Sequence, residues 1–383
     1  MAASPLIGTW EVNAELVAAP LIMLSCALIL LSMDRARNQE SYRRWALLGG
    51  LIGSGAVLVK QNLLDSLVFA AVLLVASTAR GTLARADAAR LGGWLLAGVM
   101  LPLSAAATWV TVWGPGLGAL WEAPYGFRSA AFQVVMTQSF TYPWERLQLL
   151  GLLSVGSGVV VLAGVYLGVQ RRSGRRAEPL SIAVSAMLVF GLLSVGLGAS
   201  YWGHYLIELI PALGLAAGHL CLTSASTRRW AAVTVWFVAL SAVTANAVAS
   251  TGTLVPSRKA DQAVVTWLRS AAEHTDSVVV AYGHPDLIEE AGLTPTYRYL
   301  WSLPMRTLDP KLTELTAALR DRNGPTWLVA WHNLNSWDID EEGRLSHLVA
   351  TRYRPVATIC GVEVFLRVSV DRVLPQMTAA CGE

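Results

Sequence analysis

The stretch GAVLVKQNLLDS, residues 55–66, places Lys60, Gln61 and Asn62 in the middle of an otherwise apolar run. The run extends from about residue 45 to residue 79, which is long enough for one long membrane helix or for two short ones. Lysine is rare in this chain, with three in 383 residues. Whether these polar residues interrupt one helix or separate two decides the predicted topology.

The composition is that of a membrane protein. Hydrophobic residues make up 54% of the chain and charged residues 14%, against roughly 25% charged in soluble domains. Apolar runs long enough to cross a bilayer recur between Leu16 and Ser250, whereas the last 130 or so residues are mixed. We therefore predict a polytopic α-helical membrane domain over residues 1–254 and a C-terminal α/β domain over residues 255–383.

Arginines between the apolar runs predict the topology. We expect eight spans, and each odd-numbered span is followed by arginines, which the positive-inside rule assigns to the cytoplasm. Both termini then lie outside the cell, and KQN is an external turn, because one long span over 45–79 would invert every later loop. The predicted spans are 16–33, 45–60, 63–79, 92–113, 147–169, 180–200, 205–224 and 231–250.

The C-terminal segment alternates between helical and strand patterns. It follows a linker, TGTLVPSRKA, and includes predicted strands at 277–283 and 326–332 and a closing hairpin formed by VATIC and VEVFLRV. This order predicts a small α/β domain with a largely parallel sheet. The loop AYGHPD contains one glycine, which argues against a phosphate-binding loop. An extracytoplasmic location would allow a disulfide between Cys360 and Cys381.

The net charge of +3 is too small to indicate a nucleic-acid partner. The histidines and acids of the C-terminal domain have no metal-ligand spacing, so no metal ligands are predicted and structural or surface roles are expected. A divalent metal remains an open possibility for the protein as a whole. The residues considered are His284, His332, Asp338 and Asp340.

Lys60 is the first candidate functional residue of the predicted outer side. Its ammonium could simply reach the lipid headgroups, or it could bind a lipid-linked phosphate with the amides of Gln61 and Asn62. Asp65 could pair with Lys60, although five positions are more than the usual helical spacing of four. Glu15 could be no more than a favourable acid in the first turn of a helix.

Three further groups collect on this side. Arg128 lies in the long loop between the fourth and fifth spans. His204 and Tyr205 belong to an aromatic segment typical of membrane interfaces. Glu208 follows His204 by four positions, so an α-helix would place the two side chains on one face.

Three motifs in this order resemble the GT-C glycosyltransferases of the protein-mannosyltransferase and lipid A aminoarabinose-transferase type, similar to family 39. GLIGSGAVLVKQN is similar to their glycine-rich span ending in lysine. GHYLIELIPALGLAAG is similar to a late span of the family, and NAELVAAPLIML to a segment in which an acid precedes a span. The C-terminal domain occupies the place of the extracytoplasmic domain that many bacterial members carry.

The resemblance implies a transferase that moves a sugar from a polyprenyl-phosphate donor to a protein or glycan acceptor, with inversion at the sugar. By the same resemblance Lys60 would hold the phosphate, and His204 and Tyr205 would lie near the donor. Glu15 would correspond to a second external acid. The location would be the plasma (inner) membrane of a bacterium, with the C-terminal domain outside.

One departure from the family concerns the catalytic acid, which lies in an external loop that would precede this sequence. The sequence opens without a cleavable signal peptide, so we expect that it lacks N-terminal spans or works with a partner. Glu11 or Glu15 could then serve as the base. The alternatives are an inactive chain, a transporter or flippase for a lipid-linked substrate, or a non-catalytic membrane scaffold.

Overall fold

The computed structural model describes residues 1–137, 141–172, 178–223, 225–251 and 259–376. It divides the chain into two compact units. The first unit comprises Met1–Tyr125 and Ser139–Val255, and the second comprises Gly126–Gln138 and Pro256–Glu383. The placement of Gly126–Gln138 with the second unit was not predicted from the sequence.

The first unit is helical, and a helix lies at each of the eight segments that the sequence marks as apolar. Among the described residues, five helices are long and apolar enough to cross a membrane, or six if two helices that meet at 65° form one bent span. Many large apolar side chains point away from the protein, as expected for surfaces that face lipid: Trp109, Trp113, Trp236 and Leu240 are each more than half exposed. The chain is therefore consistent with a multi-pass helical membrane protein.

The helices of this unit vary in length. Asp65–Ala79 is a shorter apolar helix, and the segment before α10 is a 3-10 helix, Gly203–Leu209. The α-helices are α1 Ala14–Arg37, α2 Arg43–Val59, α3 Asp65–Ala79, α4 Arg85–Val112, α5 Leu117–Trp121, α7 Thr141–Gly156, α8 Val159–Arg172, α9 Pro179–Leu197, α10 Ile210–Thr223 and α11 Ala225–Ala249; α6 Phe127–Thr137 belongs to the second unit.

The turn predicted at KQN is present between α2 and α3. Lys60 follows the last residue of α2 in an extended conformation, with φ −156° and ψ 126°. Its carbonyl accepts a hydrogen bond from the N–H of Leu63 at 3.0 Å, which closes the turn before α3 begins at Asp65. Two short helices thus replace one long one.

Two glycines set the distance between α2 and α4. A Cβ atom built on Gly50 would lie 2.0 Å from the carbonyl oxygen of Leu95, and one built on Gly98 would lie 2.0 Å from that of Leu47. Small residues allow such close helix approach within membranes, where apolar lipid provides little force to drive helices together. This contact fixes α2, whose far end carries Lys60.

The second unit contains a five-stranded sheet in the order β2-β1-β3-β5-β4. β1 pairs in parallel with β2 and β3, whereas β5 pairs antiparallel with both β3 and β4. The largely parallel sheet predicted from the sequence is therefore mixed, because the final hairpin adds to β3 in the opposite direction. The strands are β1 Ser277–Ala281, β2 Thr294–Pro295, β3 Trp327–Ala330, β4 Tyr353–Ile359 and β5 Val362–Arg367.

Helices cover both faces of this sheet, and an apolar core lies on each face. The sequence pattern predicts helices over 259–273, 309–322 and 341–353, and α12, α15 and α16 occur within these ranges. Two short helices, α13 and α14, were not predicted, since each spans only two turns. The helices are α12 Lys259–Ala271, α13 Pro285–Ala291, α14 Ser302–Leu308, α15 Thr313–Arg320 and α16 Arg344–Arg352.

Two residues of the second unit, Asp340 before α16 and Cys360 between β4 and β5, have structural roles. Asp340 accepts hydrogen bonds from the N–H groups of Leu345 at 2.8 Å and Ser346 at 2.9 Å and so caps α16. Cys360 is disulfide-bonded, and Cys381, the partner that the sequence allows, lies outside the described residues.

Candidate functional site

Three chain segments of the first unit meet at the KQN turn: the start of α1, the end of α2 and the 3-10 helix before α10. Glu15 lies in the first turn of α1, which begins after Asn13 caps it by accepting a hydrogen bond from the N–H of Leu16 at 2.9 Å. Its carboxylate pairs directly with the ammonium of Lys60. Glu15 is 2% exposed and Lys60 18%, so this is a buried ion pair formed by residues 45 positions apart.

Aromatic rings lie next to the Glu15–Lys60 pair. The ammonium of Lys60 lies 4.7 Å from the centre of the Tyr205 ring, and His204 packs edge-on against the same ring at 5.0 Å. The His204 ring stacks on Trp202 at 6.5 Å, and the guanidinium of Arg146 covers Trp202 at 4.1 Å. We call these five residues the cation–aromatic cluster. In this cluster the cationic side chains of Lys60 and Arg146 lie against the rings of Tyr205 and Trp202.

The side-chain amides of Gln61 and Asn62 donate hydrogen bonds to groups other than those around Lys60. This differs from the sequence-based interpretation, in which Lys60 and both amides donate to one phosphate. Gln61 donates its amide hydrogen to the carbonyl of Pro124 at 3.2 Å. Asn62 donates to Ser194 Oγ at 2.8 Å and to Glu208 Oε2 at 3.1 Å. The amides thus tie the turn to other parts of the unit.

Buried carboxylate oxygens without hydrogen-bond partners lie beside this turn. Asp65 is fully buried, and neither of its carboxylate oxygens has a hydrogen-bond partner among the described residues. Glu208 is 3% exposed, and its Oε1 likewise has none. Oδ1 of Asn62 is also buried and has no hydrogen-bond partner among the described residues. Such groups are rare in folded proteins and usually have a functional or solvent-related cause.

Two expected pairings are wrong. Lys60 binds Glu15 and not Asp65, because the extended backbone at residue 60 ends α2 and turns the lysine toward α1. His204 and Glu208 do not share a helix face, because Gly203–Leu209 is a 3-10 helix with about three residues per turn. In that helix a spacing of four residues points two side chains in different directions. Among the described residues, His204 contacts rings and Glu208 contacts Asn62.

Two other predicted site residues, Glu11 and Arg128, are exposed. Glu11 is exposed and lies before α1, where its carbonyl accepts a weak hydrogen bond from Asn13 at 3.4 Å. Arg128 is exposed on α6 and belongs to the second unit. Of the two proposed catalytic acids, only Glu15 is in contact with Lys60.

Arg146 and Ser194 are members of the site that the sequence did not suggest. Arg146 follows the motif YPWE near the start of α7, where an arginine beside aromatic residues is common at membrane interfaces. That signal was present but resembled the other interfacial aromatic segments. Ser194 lies within an apolar helix and had no distinguishing signal.

The first unit has opposite chemistry at its two ends. In α1, Glu15 lies in the first turn and Arg35 and Arg37 lie in the last turn. In α2, Arg43 is the first residue and Lys60 follows the last. At 1.5 Å per residue, about 30 Å separate the Glu15 and Lys60 end from the arginine end, roughly the thickness of a bilayer core.

No family model, curated protein or solved structure matches this chain.

Proposed function

We propose that this protein is a membrane glycosyltransferase that moves a sugar from a polyprenyl-phosphate donor to a protein or glycan acceptor. The observation that carries this proposal is the contact of the buried acid Glu15 with Lys60, at the edge of the cation–aromatic cluster. The same residues lie in the segments that resemble GT-C transferases.

The donor chemistry fits the cluster. A polyprenyl phosphate has an anionic head and an apolar chain, and the cluster offers cations on aromatic rings beside apolar helices. Lys60 would attract the phosphate as a compact charge, and Arg146 would supply the planar, multidentate donors that phosphate oxygens favour. Trp202 and Tyr205 would cover the first carbon units of the lipid.

The acid fits the transfer step. When phosphate takes over the contact with Lys60, the carboxylate of Glu15 is released to accept a proton from the acceptor hydroxyl. The hydroxyl oxygen forms the new bond at the anomeric carbon, and the bond from that carbon to the phosphate oxygen breaks with its electron pair. Lys60 and Arg146 would stabilise the negative charge that develops on the leaving phosphate. A single displacement of this kind inverts the anomeric configuration.

The proposed topology places this chemistry on the outer side of the membrane. We propose eight spans with both termini outside, a plasma (inner) membrane location and an extracytoplasmic α/β unit. Arg35, Arg37 and Arg43 would then face the cytoplasm, as the positive-inside rule requires, and the Glu15 and Lys60 end would face outward. Labelling of Trp301→Cys, which replaces an exposed residue of the second unit, with a membrane-impermeant maleimide in intact cells tests this. Protection until the cells are broken would contradict it.

Binding of farnesyl phosphate to the detergent-solubilised full chain, measured by calorimetry, tests the donor site. Farnesol, which lacks the phosphate, serves as the ligand control. We expect Lys60→Ala and Arg146→Ala each to weaken binding of the phosphate at least tenfold. Arg90→Ala removes an exposed arginine on α4 and should leave binding unchanged. Equal binding of farnesyl phosphate and farnesol would refute the phosphate site.

Transfer itself is tested with a radiolabelled polyprenyl-phosphate sugar in proteoliposomes. Glu15→Gln should abolish release of the sugar while farnesyl phosphate still binds. Loss of both binding and turnover would assign Glu15 to folding or donor binding and remove it from the proton-transfer step.

A second candidate function, transport of a lipid-linked substrate, is favoured by Asp65 and Glu208. Ionisable residues within membrane spans are rare and commonly mark proton or ion pathways. Both carboxylates are buried, and Oδ1 and Oδ2 of Asp65 and Oε1 of Glu208 have no hydrogen-bond partner among the described residues. A transporter would move a labelled lipid-linked sugar across the bilayer without releasing the sugar from its phosphate. Asp65→Asn should then stop movement, whereas the glycosyltransferase proposal predicts that this variant still turns over.

A further inference from the structure

The strand order of the second unit predicts a crevice at the carboxyl ends of the parallel strands β1 and β3. From β1 the chain passes through α13 to β2, which pairs with the edge of β1 that faces away from β3. From β3 it passes through α16 to the hairpin of β4 and β5, and β5 pairs with the edge of β3 that faces away from β1. A crevice opens in α/β sheets where neighbouring connections diverge in this way, and ligands bind there preferentially. The residues that follow β1 and β3 therefore occupy the position in which a binding site is expected.

The loop after β1 holds an unusual backbone. Tyr282 and His284 have φ values of 72° and 53°, a region that residues with a Cβ seldom adopt. His284 stacks on Trp331, the first residue after β3, with ring centres 3.8 Å apart. The imidazole is thus held between the two strand ends by its backbone and by an indole.

Two carboxylates face this imidazole. Nδ1 of His284 lies 3.7 Å from Oδ1 of Asp261, on α12, and 4.0 Å from Oδ1 of Asp286, on α13. One ligand atom from each residue can be chosen so that all three lie within 4.8 Å of one another. The side chains of His284, Asp261 and Asp286 are 32%, 18% and 38% exposed, so an ion can reach them from solvent.

We propose that Asp261, His284 and Asp286 bind one divalent transition-metal ion of the Zn²⁺ class. Two ligand atoms bound at about 2.1 Å to a tetrahedral ion lie roughly 3.4 Å apart. The two His–Asp separations, 3.7 and 4.0 Å, are close to this value, and the separation of the two carboxylates lies within 4.8 Å. One imidazole and two carboxylates form a ligand set that suits such ions.

Three protein ligands leave a coordination position open. That position is typical of sites where the ion holds water or an exchangeable ligand, in contrast to structural sites with four protein ligands. The stacking of Trp331 on His284 would orient the imidazole from behind, as neighbouring groups commonly do for metal ligands. This inference concerns the second unit alone and is independent of the proposed transferase site.

Calorimetric titration of the full chain in detergent with Zn²⁺, after removal of metals by chelation, tests the site. We expect one strong site per chain, weakened at least tenfold in His284→Ala and in Asp286→Asn. His274→Ala removes an exposed histidine of the same unit and should bind as the wild type does. No strong site in the wild-type chain, or equal affinity in His284→Ala, would overturn the proposal.

Co²⁺ provides a second measurement that does not depend on His284→Ala folding. The visible spectrum of bound Co²⁺ reports its ligands, and Asp261→Asn and Asp286→Asn keep the shape of the side chains they replace. We expect both variants to lose or change the spectrum of the wild-type complex. An unchanged spectrum in both variants would show that Co²⁺ binds elsewhere and would overturn the assignment.

Discussion

Asp65 in the first unit and Asp276 in the second are both buried, yet their surroundings differ completely. Asp65 is fully buried, and neither of its carboxylate oxygens has a hydrogen-bond partner in the part of the chain that the structure describes. Asp276 is 3% exposed and accepts hydrogen bonds from Arg372 at 2.6 and 3.1 Å, from the N–H of Glu273 at 3.0 Å and from Trp327 at 3.0 Å. A carboxylate with this many donors serves the fold, whereas a buried acid without partners destabilises it and calls for another explanation.

Glu15 has fewer partners than Asp276 and more than Asp65. In the part of the chain that the structure describes, Glu15 and Lys60 are each other's only ion-pair partner. We expect Lys60→Ala to lower the free energy of unfolding of the first unit by about 3–5 kcal/mol, since it leaves Glu15 buried and uncompensated. Thermal melting in detergent measures this loss.

A double variant separates stability from function at this pair. Lys60→Met with Glu15→Gln removes both charges and should recover most of the stability lost in Lys60→Ala, while farnesyl phosphate binding stays weak. Recovery of both would remove Lys60 from the donor site and reduce the pair to a structural contact.

Asp276→Ala should have the next largest effect. It removes two hydrogen bonds of the Arg372 guanidinium, which is 17% exposed and keeps its ion pair with Glu273 at 3.3 Å, and it removes the acceptor of the Trp327 indole N–H. We expect a loss of about 2–3 kcal/mol by comparison with other hydrogen bonds to charged groups. Hydrogen exchange of peptides that cover β1 and β3 measures the change. Asp371→Ala, at a fully exposed neighbouring acid, is the matched control and should leave exchange unchanged.

The stabilisation by Asp276 should depend on pH. Burial alone would raise the pKa of Asp276, but the hydrogen bonds from Arg372, Glu273 and Trp327 outweigh it and hold the pKa below its usual value. The carboxylate therefore stabilises the folded state fully above about pH 4, the usual value for aspartate, and loses this effect as the pH falls through the lowered pKa. The difference in exchange between wild type and Asp276→Asn should stay constant well above pH 4 and shrink as the pH falls below about 4 toward the lowered pKa. A constant difference would contradict this origin of the stabilisation.

Asp65→Asn should have the smallest effect on stability. An amide avoids burying a charge, and the carboxylate has no hydrogen bonds to lose, so we expect the free energy of unfolding to change by less than about 1 kcal/mol or to rise. Melting of Asp65→Asn beside Ser66→Ala, its buried neighbour in α3, checks this. A loss of several kcal/mol would mean that Asp65 has a stabilising partner, and the contrast with Asp276 would fail.

The positions of the helices in the first unit could be predicted from the sequence, because runs of apolar residues mark them locally. Apolar runs and arginine positions placed a helix at every expected segment, and the alternation of arginine clusters identified the turn at Lys60. The 3-10 helix at Gly203–Leu209 was missed because its apolar and aromatic residues are compatible with either helix type. That error alone produced the wrong pairing of His204 with Glu208.

The candidate sites depend on contacts that no local pattern reveals. Glu15 and Lys60 are 45 residues apart, and Asp261 meets His284 only because α12 packs beside the loop after β1. For His284, His332, Asp338 and Asp340 the sequence predicts structural or surface roles, because their spacing along the chain matches no metal motif. His284 joins its carboxylates through the fold of the sheet and not through its spacing.

The sequence by itself determined the division into an apolar helical part and a mixed α/β part, the positions of the longer helices and of four of the five strands, and the separation of the arginines from the Lys60 end, because these depend on hydrophobic periodicity and on charge along the chain. Only the tertiary structure decided which acid meets Lys60, which carboxylates lack partners, and which residues lie together at the ends of β1 and β3. These contacts depend on how whole helices and strands pack, and packing brings together residues that are far apart in sequence.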